Sequence, residues 1–275
     1  MAQGENLAWG RRTYVMGVVN VTPDSFSGDG LGSDIPAIVD RALRLEAEGA
    51  DFLDIGAEST RPGAAPIGAE EELERLMPAL EAIATRVGIP LSVDTYKARV
   101  ARRAVEAGVA IINDVWGLKA DPGLAAVAAE TGAPLTIMHN QETTRYRDLL
   151  SDIFRSLSRS VTLAREAGVP DGNIILDPGI GFGKTPEHNL EVLRRLPEFK
   201  ALGYPLLVGA SRKSTIGLVL DLPPEQRLEG TAATVALAIG SGVDIVRVHD
   251  VKEMVRVCRM SDAIVRAWRP QNWTR

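Results

Sequence analysis

Residues Glu106–Val115 read EAGVAIINDV, and the fold is decided by what lies on either side of the glycine. A helical segment ends at Gly108, a short apolar run follows, and the run stops at an amide and a carboxylate, Asn113 and Asp114. Glycine just past a helix takes the left-handed backbone conformation at little steric cost, so it ends the helix and turns the chain. The same device recurs at Gly49 (EAEGADFLDIG), Gly88 (RVGIPLSVDT), Gly132 (ETGAPLTIMH), Gly168 (EAGVPDGNIILDPG), Gly203 (LGYPLLVGAS) and Gly242 (GSGVDIVRVHD). Proline two residues on, as at Pro90, Pro134, Pro170 and Pro205, keeps the helix from resuming.

Seven such joints, added to a first strand over Tyr14–Asn20, predict eight strands. The segments between them carry helical periodicity: Ile35, Ile38, Val39, Ala42 and Leu45 share one face, as do Leu73, Leu76, Met77, Leu80 and Ile83. Pro78 interrupts the second pattern, predicting either a kink or an earlier end. The strands are nearly continuous apolar runs, as expected of strands buried on both faces, and alternating β and α units imply a parallel sheet. Eight such units predict an α/β fold, a single (β/α)8 TIM barrel. The other arrangement of these units is an open doubly wound sheet, but no GxGxxG follows the first strand. With no linker and no break in composition, residues 1–275 read as one domain, its core at about 12–268.

The 275 residues are 45% hydrophobic and 24% charged, which suits a globular chain large enough to bury a core without disulfides. A net charge of −5 argues against a broad nucleic-acid surface but leaves room for a local anion pocket. The one cysteine, Cys258, lies in an amphipathic helical pattern and reads as a buried thiol. Neither an apolar run of membrane-spanning length nor a secretory-type N-terminus is recognisable, so the sequence predicts a cytoplasmic protein with no membrane partner.

In such a barrel the chemistry sits where strands end and βα loops begin. There the sequence places Asn20 after the first strand, GAESTRPG (56–63) after the second, and Asp94 with Lys97 after the third. Asn113-Asp114, Met138-His139-Asn140, Asp177 with PGIGFGK, GASRKS (209–214) and Arg247-Val248-His249-Asp250 follow the remaining five. Taken singly, an Asp or Asn at a strand end often caps the next helix, and Asp114 and Asp250 fit that reading best. A lone His139 or His249 is more often a hydrogen-bonded structural residue than a catalyst. Taken together, amides and carboxylates from several strands converge on one mouth, with cations from the last two. Buried polar groups cost roughly 1–3 kcal/mol each when left unsatisfied, so the set implies a polar ligand. Asp94, Asn113 and Asp177 suit a flat heterocycle rich in N–H donors, such as an aminopyrimidinone edge. Arg247 and His249, two apart on a strand, point the same way and with Asn20 suit a phosphate or diphosphate. SRKS, at a predicted helix start, predicts a second anion corner.

The blocks VNVTPDSF, ESTRPGA, SVDT, INDV, LDPGIGFGK, GASRKS and RVHD, in this order over residues 16–250, resemble the dihydropteroate synthases of the pterin-binding barrel family. The resemblance implies condensation of 6-hydroxymethyl-7,8-dihydropterin pyrophosphate with p-aminobenzoate, giving 7,8-dihydropteroate and pyrophosphate, with Mg²⁺ assisting. It implies that Asp94, Asn113, Met138, Asp177, Lys213 and Arg247 hold the pterin. Asn20, Arg61, Arg247 and His249 would hold pyrophosphate, Asn20 also lying near the metal. Thr60, Arg61, Pro62 and Ser214 would form the p-aminobenzoate subsite, its ring between Phe26 and Phe182. By the same resemblance Asp24, Lys213, Arg247 and His249 would carry the catalytic roles, and a homodimer is implied. Loss of diphosphate would leave a pterin methylene cation, which water must not reach. The loop TPDSF (22–26) is therefore predicted to be a lid, with Asp24 facing the developing charge. Two other readings share the slot: a methyltetrahydrofolate:corrinoid methyltransferase, which needs no pyrophosphate corner, and a non-catalytic pterin-binding paralogue.

Overall fold

The computed structural model describes residues 7–22, 34–59, 65–270 and 273. Eight parallel strands form the barrel wall: β1 (Tyr14–Asn20), β2 (Phe52–Gly56), β3 (Leu91–Asp94), β4 (Ile111–Asp114), β5 (Leu135–Met138), β6 (Ile174–Asp177), β7 (Leu207–Val208) and β8 (Ile245–Val248). Hydrogen-bonded neighbours run β6-β5-β4-β3-β2-β1-β8-β7. A parallel bridge between Leu176 and Leu206 joins the two edges, so the sheet closes on itself through a short seam. The helices around it are α1 (Ile35–Ala47), α2 (Ala69–Ala84), α3 (Ala98–Glu106), α4 (Gly123–Thr131), α5 (Leu149–Glu166), α6 (Pro186–Arg194), α7 (Leu196–Phe199), α8 (Ser214–Leu220), α9 (Leu228–Gly240) and α10 (Val251–Val265).

The (β/α)8 barrel is thus as the repeat predicts. At six of the seven joints the glycine is left-handed, as at Gly108 with φ +101. Gly88 departs from the pattern: its φ is not positive, and its N–H instead donates to the Glu46 carboxylate at 2.7 Å. Pro78 does not end α2, which runs on to Ala84. The proline faces solvent, where a missing intrahelical hydrogen bond is made good by water.

Two cores hold the barrel. The larger lies between strands and helices and takes in Ile38, Leu45, Leu53, Leu80, Ile112 and Val246. The smaller fills the barrel floor with Tyr14, Met16, Phe52, Ile111, Ile175, Leu207 and Ile245. These are the alternate, inward-facing residues of their strands. Leu7 and Trp9 pack beneath them, Trp9 edge-on to Tyr14 at 5.6 Å, so the N-terminal segment plugs the floor. One step up the same inward rows the chemistry changes. Ile111 gives way to Asn113, Ile175 to Asp177 and Ile245 to Arg247, so an apolar base supports a polar mouth. Cys258, in α10, is buried, and burial raises its thiol to about 12.

Proline inside a helix costs roughly 3 kcal/mol, and Pro78 is exposed, so Pro78→Ala is expected to raise the stability by about 1–3 kcal/mol in urea denaturation. An unchanged or lower midpoint would show that Pro78 carries no such cost in α2.

Candidate active site

Arg247 organises the mouth. From β8 it reaches over the barrel interior, its Nε donating to Asp54 Oδ2 at 2.6 Å and its Nη2 to Asp94 Oδ2 at 2.9 Å. Asn113 Nδ2 donates to the same Asp54 oxygen at 3.0 Å. Side chains from β2, β3, β4 and β8 are thereby tied together. Asp54 Oδ1 and Asp94 Oδ1 are buried with no partner among the described residues, as are Ser92 Oγ and Thr136 Oγ1. Buried acceptors in that condition call for donors from a ligand or ordered water. Burial raises Asp94 to about 7, with the nearby Asp54 charge adding to the rise and Arg247 opposing it.

Opposite lie Asp177 and Lys213. Asp177 Oδ1 accepts from the Gly179 N–H at 2.7 Å, and burial raises the carboxyl despite Lys213 nearby. Lys213 Nζ donates to the Ile180 carbonyl and stands 4.4 Å from the Phe182 ring centroid. Burial lowers the amine to about 8, Asp177 holding it up and Arg247 pressing it down. Met138, buried and inward-facing at the end of β5, completes this wall.

The loop after β6, residues 178–184, is locked in place. A Cβ on Gly179 would stand 1.9 Å from the His139 carbonyl oxygen, and φ there is +73. Lys184 Nζ meets His139 Nδ1 at 2.8 Å and donates to the carbonyls of Gly179 at 3.0 Å and Phe182 at 3.1 Å. Burial lowers Lys184 to about 7, and burial together with Lys184 lowers His139 to about 2, so the imidazole is a neutral acceptor. His139 is thus a structural partner, as a lone histidine usually is.

His249 lies on the Arg247 side, its Nδ1 3.1 Å and its backbone N 3.2 Å from Ser211 Oγ, while Arg41 donates to its carbonyl at 2.8 Å. Asn20 ends β1 and is half-buried. Ser214 opens α8 and is exposed. Asp24, Phe26, Thr60, Arg61 and Pro62 lie outside the described residues.

Three sequence expectations change. Asp250 does not cap α10; its carboxylate takes Arg212, with Nε to Oδ2 at 2.9 Å. Arg212 is therefore bound to Asp250, and SRKS offers no arginine to a second anion corner. Lys97, soon after β3, ion-pairs with Glu58 and Glu72, both at 2.5 Å. Asp114 does act structurally, but it accepts from Trp116 and Leu118 N–H groups in a turn, at 2.8 and 2.6 Å. Two residues were missed. Asp54 stands within FLDIG, before the strand end and outside the βα loops where such barrels place their chemistry. Its signal was a lone acid in a buried strand, which must find a partner. Lys184 closes the LDPGIGFGK block, where its spacing does not set it apart from a solvated lysine.

A model of the pterin binding enzyme family matches residues 16–249. Dihydropteroate synthase of Bacillus subtilis is 52% identical over 94% of this chain and 91% of its own length. Among solved structures, dihydropteroate synthase of Clostridium difficile, crystallised in the presence of pteroic acid, superposes with a TM-score of 0.90 at 49% identity, covering 94% of this chain and 98% of the other. That of Yersinia pestis, in a sulfonamide drug complex, gives 0.91 at 42% identity, covering 96% and 98%. The chain belongs to the pterin-binding enzymes. Its activity is that of a dihydropteroate synthase, a transferase.

Because the Gly179 contact is with backbone, Gly179→Ala is expected to lower stability by more than about 2 kcal/mol. Gly172→Ala, where an added Cβ meets nothing within 4 Å, is expected to change it by under about 0.5 kcal/mol. Equal effects in urea denaturation would contradict the locked-loop geometry.

Proposed function

We propose that the mouth built on Arg247 is where 6-hydroxymethyl-7,8-dihydropterin pyrophosphate and p-aminobenzoate are joined. The observation that carries this is the convergence of Asp94, Asn113, Asp177, Lys213 and Arg247 around unpartnered buried carboxylate oxygens. The carboxylates of Asp94 and Asp177 accept from the N–H groups of the pterin, Lys213 donates to it, and Met138 lines its face. The unengaged N–H groups of Arg247, with His249 and Asn20, receive the diphosphate. Positive charge there stabilises the departing oxyanion as its carbon–oxygen bond breaks. The pterin methylene carbon, left electron-poor, forms a bond to the p-aminobenzoate nitrogen, which then releases a proton. That weakly basic nitrogen needs no dedicated base. In this reading Phe182, Ser214, Thr60, Arg61, Pro62 and Phe26 hold p-aminobenzoate, and Asp24 faces the electrophilic carbon.

Mg²⁺ fits this arrangement. No group of three or more His, Cys, Asp or Glu side chains that could hold a metal occurs among the described residues. An ion held chiefly by diphosphate oxygens and water needs only one hard protein donor, and the Asn20 amide oxygen supplies it. When bound, Mg²⁺ would neutralise charge on the leaving group. The assembly proposed is a homodimer, and an apolar face supports it: Leu237 of α9 and Met260 and Ile264 of α10 are exposed by 74%, 62% and 72%, a surface that a second copy would cover. No helix among the described residues is long and apolar enough to cross a membrane. We place the enzyme in the cytoplasm, where its buried thiol stays reduced.

Incubation with both substrates and Mg²⁺ is expected to yield dihydropteroate, with sulfonamides competing against p-aminobenzoate. Pterin binding without product would favour a non-catalytic paralogue, and methyl transfer to a corrinoid protein would favour the methyltransferase. Because an ionised Asp94 offers both oxygens as strong acceptors, while its protonated form turns one of them into a donor, calorimetric affinity for 6-hydroxymethylpterin is expected to rise as pH climbs through about 7. A flat profile from pH 5.5 to 8 would remove Asp94 from the slot.

A further inference from the structure

Asp54 is fully buried, and its Oδ2 receives both Arg247 Nε and Asn113 Nδ2. Its neighbours in the inward row are Val18 on β1 and Ser92 on β3, neither of them charged. We propose that Asp54 is the positioning residue that sets the polarity of the pterin slot, an inference that rests on the pterin reading above. An ionised carboxylate accepts and never donates, so it fixes which end of the Asn113 amide faces the barrel axis. The NH₂ end is turned to Asp54, and the carbonyl oxygen is left as an acceptor for the ligand. Anchored through Nε to Asp54 and through one Nη2 hydrogen to Asp94, Arg247 keeps its remaining N–H groups for the diphosphate. Asp54 thus makes the slot a reader of donor-rich ring edges without itself needing to touch the ring. In its absence the amide could present either end, and the guanidinium would have one anchor in place of two. The charged groups facing this cluster are Arg247, Asp94, Glu72, Asp114, Asp177 and Lys213.

The test is a reciprocal exchange. Asp54→Asn removes the fixed acceptor, and Asn113→Asp sets two carboxylates against each other; each is expected to weaken 6-hydroxymethylpterin binding tenfold or more. Combining them restores one amide and one carboxylate in reversed order. The amide introduced by Asp54→Asn then donates to the carboxylate introduced by Asn113→Asp, whose second oxygen still faces the slot as an acceptor. The double variant is expected to recover at least half of the lost affinity on a logarithmic scale, a rescue that a merely structural role would not give. The KM for p-aminobenzoate is expected to stay within twofold of wild type in the double variant. Wild-type affinity in a folded Asp54→Asn protein, or losses that add in the double variant, would overturn the proposal. Should Asp54→Asn not fold, Asn113→Asp decides alone. Its paired carboxyls must share a proton, which raises their folded-state pKa, so its stability must fall more steeply than wild type as pH rises through neutrality. Parallel pH–stability curves would overturn the proposal. Failure of the wild-type protein to bind the pterin would instead defeat the pterin reading, so the two failures are distinct.

Discussion

The guanidinium of Arg247, held between the carboxylates of Asp54 and Asp94, is the interaction on which the rest of the site depends. It lies across the interior of a barrel whose floor is apolar, where an uncompensated charge would be strongly unfavourable. Breaking a buried pair by removing one partner typically costs about 3–5 kcal/mol. Three carboxylates, Asp54, Asp94 and Asp177, face two cations, Arg247 and Lys213; burial, with the charge of Asp54 adding to it, holds Asp94 well above its ordinary value despite Arg247, and the count of charges leaves an imbalance. A ligand bringing N–H donors relieves that imbalance by supplying partners for the oxygens that lack them. Binding and electrostatic repair are therefore the same event.

Beside this centre one loop is held at many points. The loop after β6 is clamped by Lys184, by the backbone of the 139–141 segment and by Tyr146, whose hydroxyl donates to the Gly183 carbonyl at 2.7 Å. Asn189 adds a contact to the Gly181 N–H at 2.7 Å and reaches Thr215 at the start of α8 at 3.0 Å. Phe182 and Lys213 are thereby referred to one another through a chain of short, well-directed hydrogen bonds. Fixed loops of this kind let a slot distinguish rings by the placement of single polar atoms.

Much of this was legible in the sequence, and for identifiable reasons. The glycine that ends a helix is a local backbone demand, so the starts of the strands that follow such a joint could be read locally. Inward-facing polar groups at strand ends, Asp94, Asn113, Asp177 and Arg247, follow from the two-residue period of a strand. What could not be read were relations across the barrel. Asp54 meets Asn113 from two strands away, over β3, and Arg212 meets Asp250 across 38 positions. No spacing rule encodes such pairs, because they depend on closure of the sheet. Gly88 fails for a similar reason: a carboxylate from α1, Glu46, supplies the turn contact that a left-handed backbone supplies elsewhere.

The seam where the barrel closes has a mechanical meaning. β7 contributes two residues, and a single bridge at Leu176–Leu206 joins it to β6, so this stave is the one most easily pried loose. Across that same gap Lys213 grips the carbonyl of Ile180, tying the segment after β7 to the segment after β6. A molecule wedged between Asp177 and Lys213 would act as a rivet through the weakest joint of the wall, stiffening the whole cylinder from its rim downward.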